Sequence, residues 1–254
     1  MQPDFECQWR RRFAERGSRL DDDAGIAGWT PSGLRTRVRQ FRLHWEAEED
    51  RPAGCWLDVG CGSGVYSRLL QRAGHRVAGL DYSVPSLGKA GQRSPAGIAW
   101  VAADARRLPV RDGVVDGALC FGVMQALAGP EAALAELRRV VRPGGEVWVD
   151  ALNARCGPTA IAEWRRRWAG RPPHLRYDTP SAFRAAARRA GLEPVAWHWM
   201  PILPSRLQRF QGLLESPACR WLLQAVPPLG ALLSHSFILR ARRSADSAAP
   251  RARQ

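Results

Sequence analysis

The sequence predicts an α/β fold built on a mostly parallel, doubly wound sheet. Short apolar segments alternate with helical segments between residues 55 and 152. A glycine-rich turn follows the first apolar segment, and the second and third segments end in carboxylates. Strand, helix and strand repeated in this order favour right-handed βαβ units, which place successive strands parallel to one another in one sheet.

Five short apolar segments are predicted as the strands of this sheet. They are Cys55–Val59, His75–Asp81, Ile98–Asp104, Val114–Phe121 and Glu146–Leu152. Such continuous apolar runs are typical of strands that are covered by helices on both faces. The alternating region is therefore expected to form the core of the molecule.

The segment from Pro130 to Val141 is predicted as a helix that leads into the fifth strand. Pro130 lies near its first position and Glu131 lies in its first turn, where each residue type is favoured. Leu134, Leu137, Val140 and Val141 share one face. The basic and breaking residues Arg142–Gly145 are expected to end the helix before the strand begins.

The flanking regions are predicted to differ from this core. Residues 1–50 are expected to form a helical extension, residues 51–242 the main domain, and residues 243–254 a disordered polar tail. After about residue 153 the predicted elements are helices at Ile161–Trp168 and Pro180–Ala190, late strands at Val195–Leu203 and His235–Arg240, and a helical insert at about 204–230.

The composition narrows the functional classes. With 45% hydrophobic residues, the chain can bury a sizeable core, which excludes wholesale disorder. The net charge is +14 and Lys89 is the only lysine, so the positive charge is almost entirely arginine. A basic chain favours nucleic acid or anionic surfaces as partners. The arginines are nevertheless spread along the chain, and Arg10–Arg12 and Arg165–Arg167 are interpreted as solvated helix faces.

The cysteines and the hydropathy pattern indicate a cytoplasmic protein. The six cysteines are Cys7, Cys55, Cys61, Cys120, Cys156 and Cys219. None of them has the spacing of a metal site or a CxxC pair, and scattered thiols suit a reducing compartment. We see no signal-peptide core at the N-terminus and no apolar run of about 20 residues that would span a membrane.

The glycine-rich turn is the most informative motif. Gly60, Gly62 and Gly64 follow the first predicted strand with the spacing G-x-G-x-G. This spacing differs from the G-x-G-x-x-G fingerprint of dinucleotide sites. Asp58 stands two residues before the first glycine, where its charge would repel a pyrophosphate. The turn therefore favours a ligand that carries an ammonium group and a sulfonium centre.

The strand-end carboxylates extend this prediction. Asp81 ends the second predicted strand, about 20 residues beyond the turn, where a carboxylate can accept hydrogen bonds from both hydroxyls of a ribose. Asp104 ends the third, where it can accept from an adenine amino group. A role for these residues as helix caps or turn residues alone is the alternative.

Residues 54–152 resemble the core of the class I S-adenosylmethionine-dependent methyltransferases, and most closely the branch that contains ubiquinone and menaquinone biosynthesis enzymes. The resemblance covers about two-fifths of the chain. It is carried by Leu57–Gly64, by Asp81, by Asp104-Ala105, by Val115–Gln125 and by Leu137–Gly145. It implies a Rossmann-like, seven-stranded sheet whose antiparallel C-terminal hairpin is formed by the two late strands, with helical additions around the acceptor site.

The resemblance also implies S-adenosylmethionine as the cofactor and assigns residues to its parts. Asp58, Gly60 and Gly62 are expected around its methionine part, and Cys61 and Gly64 of the same turn are expected among the cofactor-binding residues. Asp81 is expected at the ribose, Asp104 and Ala105 at the adenine, and Tyr82 against the adenine face. Phe121 and Gln125 are expected near the methyl group.

Methyl transfer from a sulfonium is an in-line displacement in which positioning supplies much of the rate, so a catalytic dyad is not required. His174, Tyr177 and His198 are the candidate general bases, ahead of the three other histidines. The acceptor pocket is expected from the N-terminal helices and the segment Asn153–His235, which are both rich in tryptophan and arginine. This combination favours a small, hydrophobic acceptor such as a quinone precursor or a lipid-linked intermediate.

Several alternatives stay open from the sequence. The insert Arg206–Val226 is interpreted as a cover or lid, with peripheral contact to an anionic membrane as the alternative. An RNA- or protein-directed methyltransferase is favoured only by the charge, and no DNA partner is expected. Cys120–Val123 stands where amino-directed relatives carry Asn/Asp-Pro-Pro-aromatic. A catalytically silent scaffold is the remaining alternative, and the sequence leaves the oligomeric state open.

Overall fold

The computed structural model describes residues 4–47, 51–172 and 175–244. Within these ranges, seven strands form one sheet in the order β3-β2-β1-β4-β5-β7-β6. The strands are β1 Cys55–Val59, β2 Arg76–Asp81, β3 Ile98–Ala102, β4 Val115–Cys120, β5 Val141–Leu152, β6 Leu192–Met200 and β7 Ser236–Arg243. Strands β1 to β5 pair in parallel, whereas β7 pairs antiparallel with both β5 and β6. This confirms the predicted fold class.

The helices precede, connect and follow these strands. They are α1 Asp4–Arg19, α2 Asp23–Ala27, α3 Pro31–Glu46, α4 Val65–Arg72, α5 Val84–Arg93, α6 Glu131–Val140, α7 Gly157–Trp168, α8 Pro180–Arg189, α9 Gln211–Leu214, α10 Pro217–Ala225 and α11 Pro227–Leu233. Short 3₁₀ turns occupy Met124–Ala126 and Ser205–Phe210. No helix within the described ranges is both long enough and apolar enough to cross a bilayer.

Alternate residues along the central strands enter two separate hydrophobic clusters, one on each face of the sheet. Leu57 and Val149 belong to the cluster that packs against α6 and α8. Trp56 and Trp148 belong to the cluster that contains Phe41 of α3. This alternation follows from the pleat of a strand, which points successive side chains to opposite faces.

The N-termini of the helices follow the expected capping chemistry. The Oγ1 of Thr30 accepts a hydrogen bond from the Gly33 N–H at the start of α3, and Pro31 occupies the first turn. The Oγ of Ser83 accepts from the Ser86 N–H at the start of α5. These local signals fix the residues at which both helices begin.

Two predicted boundaries of the parallel strands were wrong by more than one residue. Strand β3 ends at Ala102, and Asp104 lies instead in a turn that is closed by a bridge to Arg107. Strand β5 begins at Val141, because Arg142–Gly145 form a bulge inside the strand. Val141 pairs with Val115, and the next pairing joins Glu146 to Gly117.

The late elements are shifted relative to the prediction. Strand β6 runs from Leu192 to Met200 instead of from Val195 to Leu203, since Pro201 interrupts the strand. The insert is divided into several short helices that continue to Leu233. Strand β7 extends through Arg243, which was assigned to the tail, and residues 245–254 lie outside the described residues. The division into an extension, a domain and a tail stays a prediction.

Candidate active site

A cavity of about 1030 Å³, partly open to solvent, lies at the carboxyl edge of the parallel strands. The order of the sheet reverses between β1 and β4, and such a reversal is where open α/β sheets bind ligands. The cavity brings together eight predicted cofactor residues, which are Gly60, Cys61, Gly62, Asp81, Tyr82, Asp104, Ala105 and Phe121. Helices α1, α2 and α3 supply the opposite wall.

The glycine turn folds tightly over the end of β2. The N–H groups of Gly60 and Cys61 both donate to the Leu80 carbonyl, at 2.7 and 3.1 Å. Gly60 has φ +76° and Gly62 has φ +52°, in the left-handed region that favours glycine. A Cβ at Gly60 would collide with the Val123 side chain. The turn therefore presents bare backbone to the cavity.

Asp81 is fixed at the end of β2 by backbone donors. Its Oδ2 accepts from the Gly62 N–H at 2.9 Å, and its Oδ1 accepts from the Ser83 N–H at 2.8 Å. Burial raises the pKa of Asp81, and these hydrogen bonds offset only part of that effect. Each carboxylate oxygen can accept a further hydrogen bond. Both oxygens are thus held in fixed positions on the wall of the cavity.

Aromatic side chains form a wall beside Asp81. Tyr82 follows it, and the Phe13 ring of α1 lies edge-on to the Tyr82 ring with centroids 6.4 Å apart. The Tyr82 hydroxyl donates to the Trp9 carbonyl at 3.3 Å. All three aromatic residues line the cavity. A planar adenine fits such a wall, so the side chains present here fit an adenosine-containing cofactor.

Asp58 and Gly64 do not line the cavity, contrary to expectation. Asp58 is buried beneath the turn, where its Oδ2 accepts from the Ser67 hydroxyl at 2.6 Å. Burial raises the pKa of Asp58 to about 6. A Cβ at Gly64 would meet the ring of Trp100 on the inner side of the turn. Both residues support the turn from behind instead of facing a ligand.

Asp104 lines the cavity but is already engaged by arginines. It forms ion pairs with Arg10 of α1 and with Arg106. Burial raises the pKa of Asp104, but the hydrogen bonds from Arg106 and the charge of Arg10 outweigh burial and lower it to about 2. An adenine amino group would thus have to compete with these two guanidinium groups for the carboxylate of Asp104.

Phe121 and Gln125 are separated by the structure. Phe121 lines the cavity, whereas Gln125 lies in the 3₁₀ turn that follows β4 and is buried away from it. The Gln125 carbonyl accepts from the Arg176 N–H at 3.0 Å, which connects this turn to the segment before α8. Gln125 itself does not line the cavity, although its neighbours Ala126 and Leu127 do, so its expected position near the methyl group stays a prediction.

A buried ion pair at the end of β5 is the main feature that the sequence analysis missed. Arg37 of α3 and Asp150 of β5 are each 3% exposed, and Arg37 Nη1 donates to Asp150 Oδ2 at 2.8 Å. Asp150 Oδ1 accepts from the Gly122 N–H at 2.7 Å. The Arg37 guanidinium lies 3.7 Å from the centroid of the Trp29 ring. The one available signal was Asp150, a carboxylate inside an apolar strand.

Two of the candidate bases, His198 and Tyr177, do not line the cavity. His198 of β6 stacks on His44 of α3 with ring centroids 3.8 Å apart, and burial lowers the pKa of His198 to about 3. Tyr177 does not line the cavity, and burial raises its pKa to about 12. His174 lies outside the described residues. His235 lies closer, with its ring edge-on to Trp29 at 6.3 Å.

The cavity lining also limits the chemistry that is available. No histidine and no lysine is found among the described residues that line it. In the same part of the chain, no group of three or more histidine, cysteine, aspartate or glutamate side chains is placed to hold a metal ion. The ionisable groups that do line the cavity are Glu6, Arg10, Arg37, Cys61, Tyr66, Asp81, Tyr82, Asp104 and Asp150.

Comparison with known sequences identifies similar proteins. A family model described as a methyltransferase domain matches residues 57–149. The malonyl-[acyl-carrier protein] O-methyltransferase of Pseudescherichia vulneris is 32% identical over 190 residues, which cover 64% of this chain and 75% of that protein. The ubiquinone biosynthesis O-methyltransferase of Cupriavidus pinatubonensis is 32% identical over 162 residues, covering 58% and 64%. The chain spans only 28% of the bifunctional biotin biosynthesis protein of Cellvibrio japonicus, at 30% identity.

Solved structures share the fold at low sequence identity. The magnesium protoporphyrin IX methyltransferase of Synechocystis PCC 6803, solved with bound SAH, has a TM-score of 0.66 at 16% identity and covers 94% of this chain and 100% of that chain. The phosphoethanolamine N-methyltransferase 2 of Haemonchus contortus, in complex with S-adenosylmethionine, has a TM-score of 0.63 at 15% identity and covers 91% and 60%. Both structures have the Rossmann-like architecture described above.

Proposed function

The chain belongs to the class I S-adenosylmethionine-dependent methyltransferases, and we propose that it methylates an oxygen of a small, hydrophobic acceptor. The observation that carries this proposal is the continuity of the cavity. Its lining runs from Asp81 and the glycine turn at one end to Trp29 and Phe121 at the other. A cofactor and an acceptor can therefore lie side by side within one continuous cavity.

The chain's own contribution is to hold and enclose the reactants. When bound, S-adenosylmethionine supplies a methyl group on a positively charged sulfur, which an in-line nucleophile can take. Asp81 and the glycine turn fix the ribose and methionine parts, and the aromatic wall fixes the adenine. Helices α1 to α3 cover the cavity and limit the entry of water. Such positioning supplies much of the rate in a displacement of this kind.

The lining indicates an acceptor that does not depend on a histidine or lysine base. Asp81 and Asp150 face the cavity, but each already accepts hydrogen bonds from the backbone. An acceptor whose reacting group ionises near neutral pH needs no general base from the protein. Acidic phenols and carboxylic acids meet this condition.

The acceptor end of the cavity is mainly apolar, and this supports a hydrophobic, quinone-like or lipid-linked acceptor. Trp29, Leu34, Phe121 and Val123 supply its apolar side chains, beside the buried pair Arg37–Asp150. The relatives' names describe O-methyltransferases of ubiquinone biosynthesis and of malonyl-[acyl-carrier protein]. We therefore place oxygen ahead of nitrogen, carbon and sulfur as the methylated atom.

A labelling experiment tests the proposed substrate class. The purified protein is incubated with S-adenosylmethionine that is labelled in its methyl group, in separate reactions with a metabolite extract, bulk RNA and total protein. We expect label in small molecules that organic solvent extracts. Treatment with mild base then distinguishes methyl esters, which should release the label, from methyl ethers, which should keep it. Label that enters RNA or protein would contradict the proposal, and absence of label from all three pools would favour the silent scaffold.

We further propose that the helical insert contacts an anionic membrane face on the cytoplasmic side. Leu213 and Trp221 are 66% and 71% exposed, and Arg206 and Arg209 are exposed near them in the sequence. Exposed apolar side chains can partition into a lipid surface, and basic residues beside them are attracted to anionic headgroups. Trp221→Ser should lower cosedimentation with phosphatidylglycerol vesicles several-fold, whereas Trp164→Ser, at an exposed site outside the insert, should not. Equal sedimentation with phosphatidylcholine vesicles would contradict the role of charge.

A further inference from the structure

We propose that Arg37 binds an acidic group, a carboxylate or a comparable planar oxyanion, on the methyl acceptor. This inference rests on the proposed function and narrows its substrate class from hydrophobic molecules in general to hydrophobic acids. It assigns a recognition role to a cavity-lining residue that is paired with β5, four strand positions from β3, which Asp104 follows.

The guanidinium of Arg37 is buried and only partly satisfied. Arg37 is 3% exposed and lines the cavity. Its Nη1 is occupied by Asp150, while its Nε and Nη2 have no hydrogen-bond partner among the described residues. A buried donor without a partner is costly, and such groups in proteins are normally satisfied by protein, water or ligand. A ligand in the cavity is therefore a natural partner for these two atoms.

The two free nitrogens have the geometry that a carboxylate requires. The Nε and Nη2 hydrogens of an arginine lie on the same edge of its planar fork and point in parallel. That edge matches the two oxygens of a carboxylate in a bidentate pair. Trp29 covers one face of the guanidinium, and Asp150 holds its other edge. The orientation of the free edge is thus fixed before any ligand arrives.

The position of Arg37 separates it from the part of the cavity that is assigned to the cofactor. The residues assigned to adenine and ribose follow β3 and β2, and the glycine turn follows β1. Arg37 is paired with Asp150 of β5, four strand positions from β3, which is roughly 19 Å at the usual strand spacing. The free edge therefore belongs to the end of the cavity that lies beyond the ribose site.

The charges around Arg37 fit an incoming anion. The acidic neighbour Asp150 is already neutralised by the pair, and the nearby His235 stays uncharged at neutral pH because burial and the Arg37 charge lower its pKa to about 4. A cofactor with a sulfonium centre adds positive charge to the same cavity. An anionic acceptor balances that charge.

A matched pair of ligands tests this inference without knowledge of the natural acceptor. The SAH-loaded protein is titrated by calorimetry with phenylacetate and with phenylacetamide, and then with decanoate and decanamide. Each pair differs in charge but shares its carbon skeleton. We expect at least one acid to bind about tenfold or more tightly than its amide, as charge-assisted hydrogen bonds provide. In Arg37→Gln the ratio should fall to near one, while SAH affinity stays within about threefold.

The matched control is Arg35→Gln, which makes the same substitution at an exposed position on the same helix. It should keep the preference for the acid. Because Arg37→Gln leaves Asp150 buried without its partner, the double variant Arg37→Gln/Asp150→Asn is measured as well, with thermal melting as the check on folding. The double variant should also show no preference for the acid.

Two results would overturn the inference. One is equal binding of acid and amide by the wild-type protein in both ligand pairs. The other is an Arg37→Gln variant that binds SAH at least tenfold more weakly but keeps its preference for the acid, since the partner of Arg37 would then be the carboxylate of the cofactor. The titrations are repeated without SAH. Failure of the wild-type protein to bind SAH would count against the proposed function. The ratio of the affinities for acid and amide, measured with and without SAH, decides this inference.

Discussion

The glycine turn shows how much of the site depends on single atoms. Gly60 combines a left-handed backbone with a Cβ direction that is blocked by Val123. Gly62 uses its backbone N–H to hold Asp81 Oδ2. The turn thus determines both the space for a ligand and the position of the carboxylate that would bind it.

Gly60→Ala should destabilise the protein more than a left-handed backbone alone explains. Gly74 provides the matched control, because it has φ +87° but open space around its Cβ direction. We expect Gly74→Ala to cost about 1–2 kcal/mol from backbone strain. Gly60→Ala should cost at least about 1 kcal/mol more because of the clash with Val123. Urea unfolding of both variants measures the difference, and equal losses would contradict the steric argument.

Asp58 should make stability depend on pH. Burial raises its pKa to about 6 in the folded protein, whereas an exposed aspartate titrates near ~3.9. Between these values the folded state keeps a proton that the unfolded state has lost, so the contribution of Asp58 to stability falls as pH rises from about 4 to 6. The two pKa values differ by an amount that corresponds to about 3 kcal/mol.

Asp58→Asn removes this ionisation and keeps an oxygen that can accept from Ser67. Relative to the wild type, the variant should gain stability between pH 4 and pH 7, by up to about 3 kcal/mol. Urea unfolding of both proteins at the two pH values measures this gain, because the contributions of other groups cancel in the comparison. Identical pH dependence of stability in the two proteins would show that ionisation of Asp58 does not destabilise the folded state.

Helix α1 closes the adenine end of the cavity through ion pairs. Arg10 pairs with Asp104, and Glu6 pairs with Arg106. Glu6 Oε1 also accepts from the Ala128 N–H at 2.8 Å. These side chains are partly exposed, so each pair contributes modestly to stability. The helix can therefore act as a cover that opens when a cofactor enters or leaves.

Arg10→Gln should speed the release of SAH several-fold, because it removes one of the pairs that hold α1 over the cavity. Arg11→Gln, at an exposed position on the same helix, should leave the release rate unchanged. Stopped-flow displacement of SAH measures both rates, and raised salt should increase the wild-type rate by screening the pairs. If release is equally fast from the wild type and the Arg10 variant, α1 does not control exit.

The elements differ in how well the sequence predicts them. Apolar runs predict the central strands, since a buried parallel strand has few alternatives. The end of β3 and the start of β5 escaped prediction because a turn with a bridge at Asp104 and a bulge at Arg142–Gly145 depend on pairing with neighbours. The pair Arg37–Asp150 joins residues 113 positions apart, and no local pattern specifies such a contact.

On the scale of the whole molecule, the sheet order explains why these residues meet. Strands β3, β2, β1, β4 and β5 lie side by side, so their carboxyl ends form one edge. The N-terminal helices return over that edge and convert it into an enclosed cavity. The sequence predicts the edge and the covering role of the extension, but Asp58 behind the turn and His198 beside His44 show that strand-end position does not determine which side chains face a ligand.

Calorimetric titration with S-adenosylmethionine and SAH tests the central claim most directly, in the wild type, in Asp81→Ala and in Gly62→Arg. Gly88→Arg is the control, because Gly88 is exposed and has open space around it. We predict micromolar binding by the wild type and the control. Both site variants should bind about 100-fold more weakly or worse, from the loss of charge-assisted hydrogen bonds or from steric block. Unchanged affinity in a folded Asp81→Ala protein would contradict the assignment of this cavity as the cofactor site.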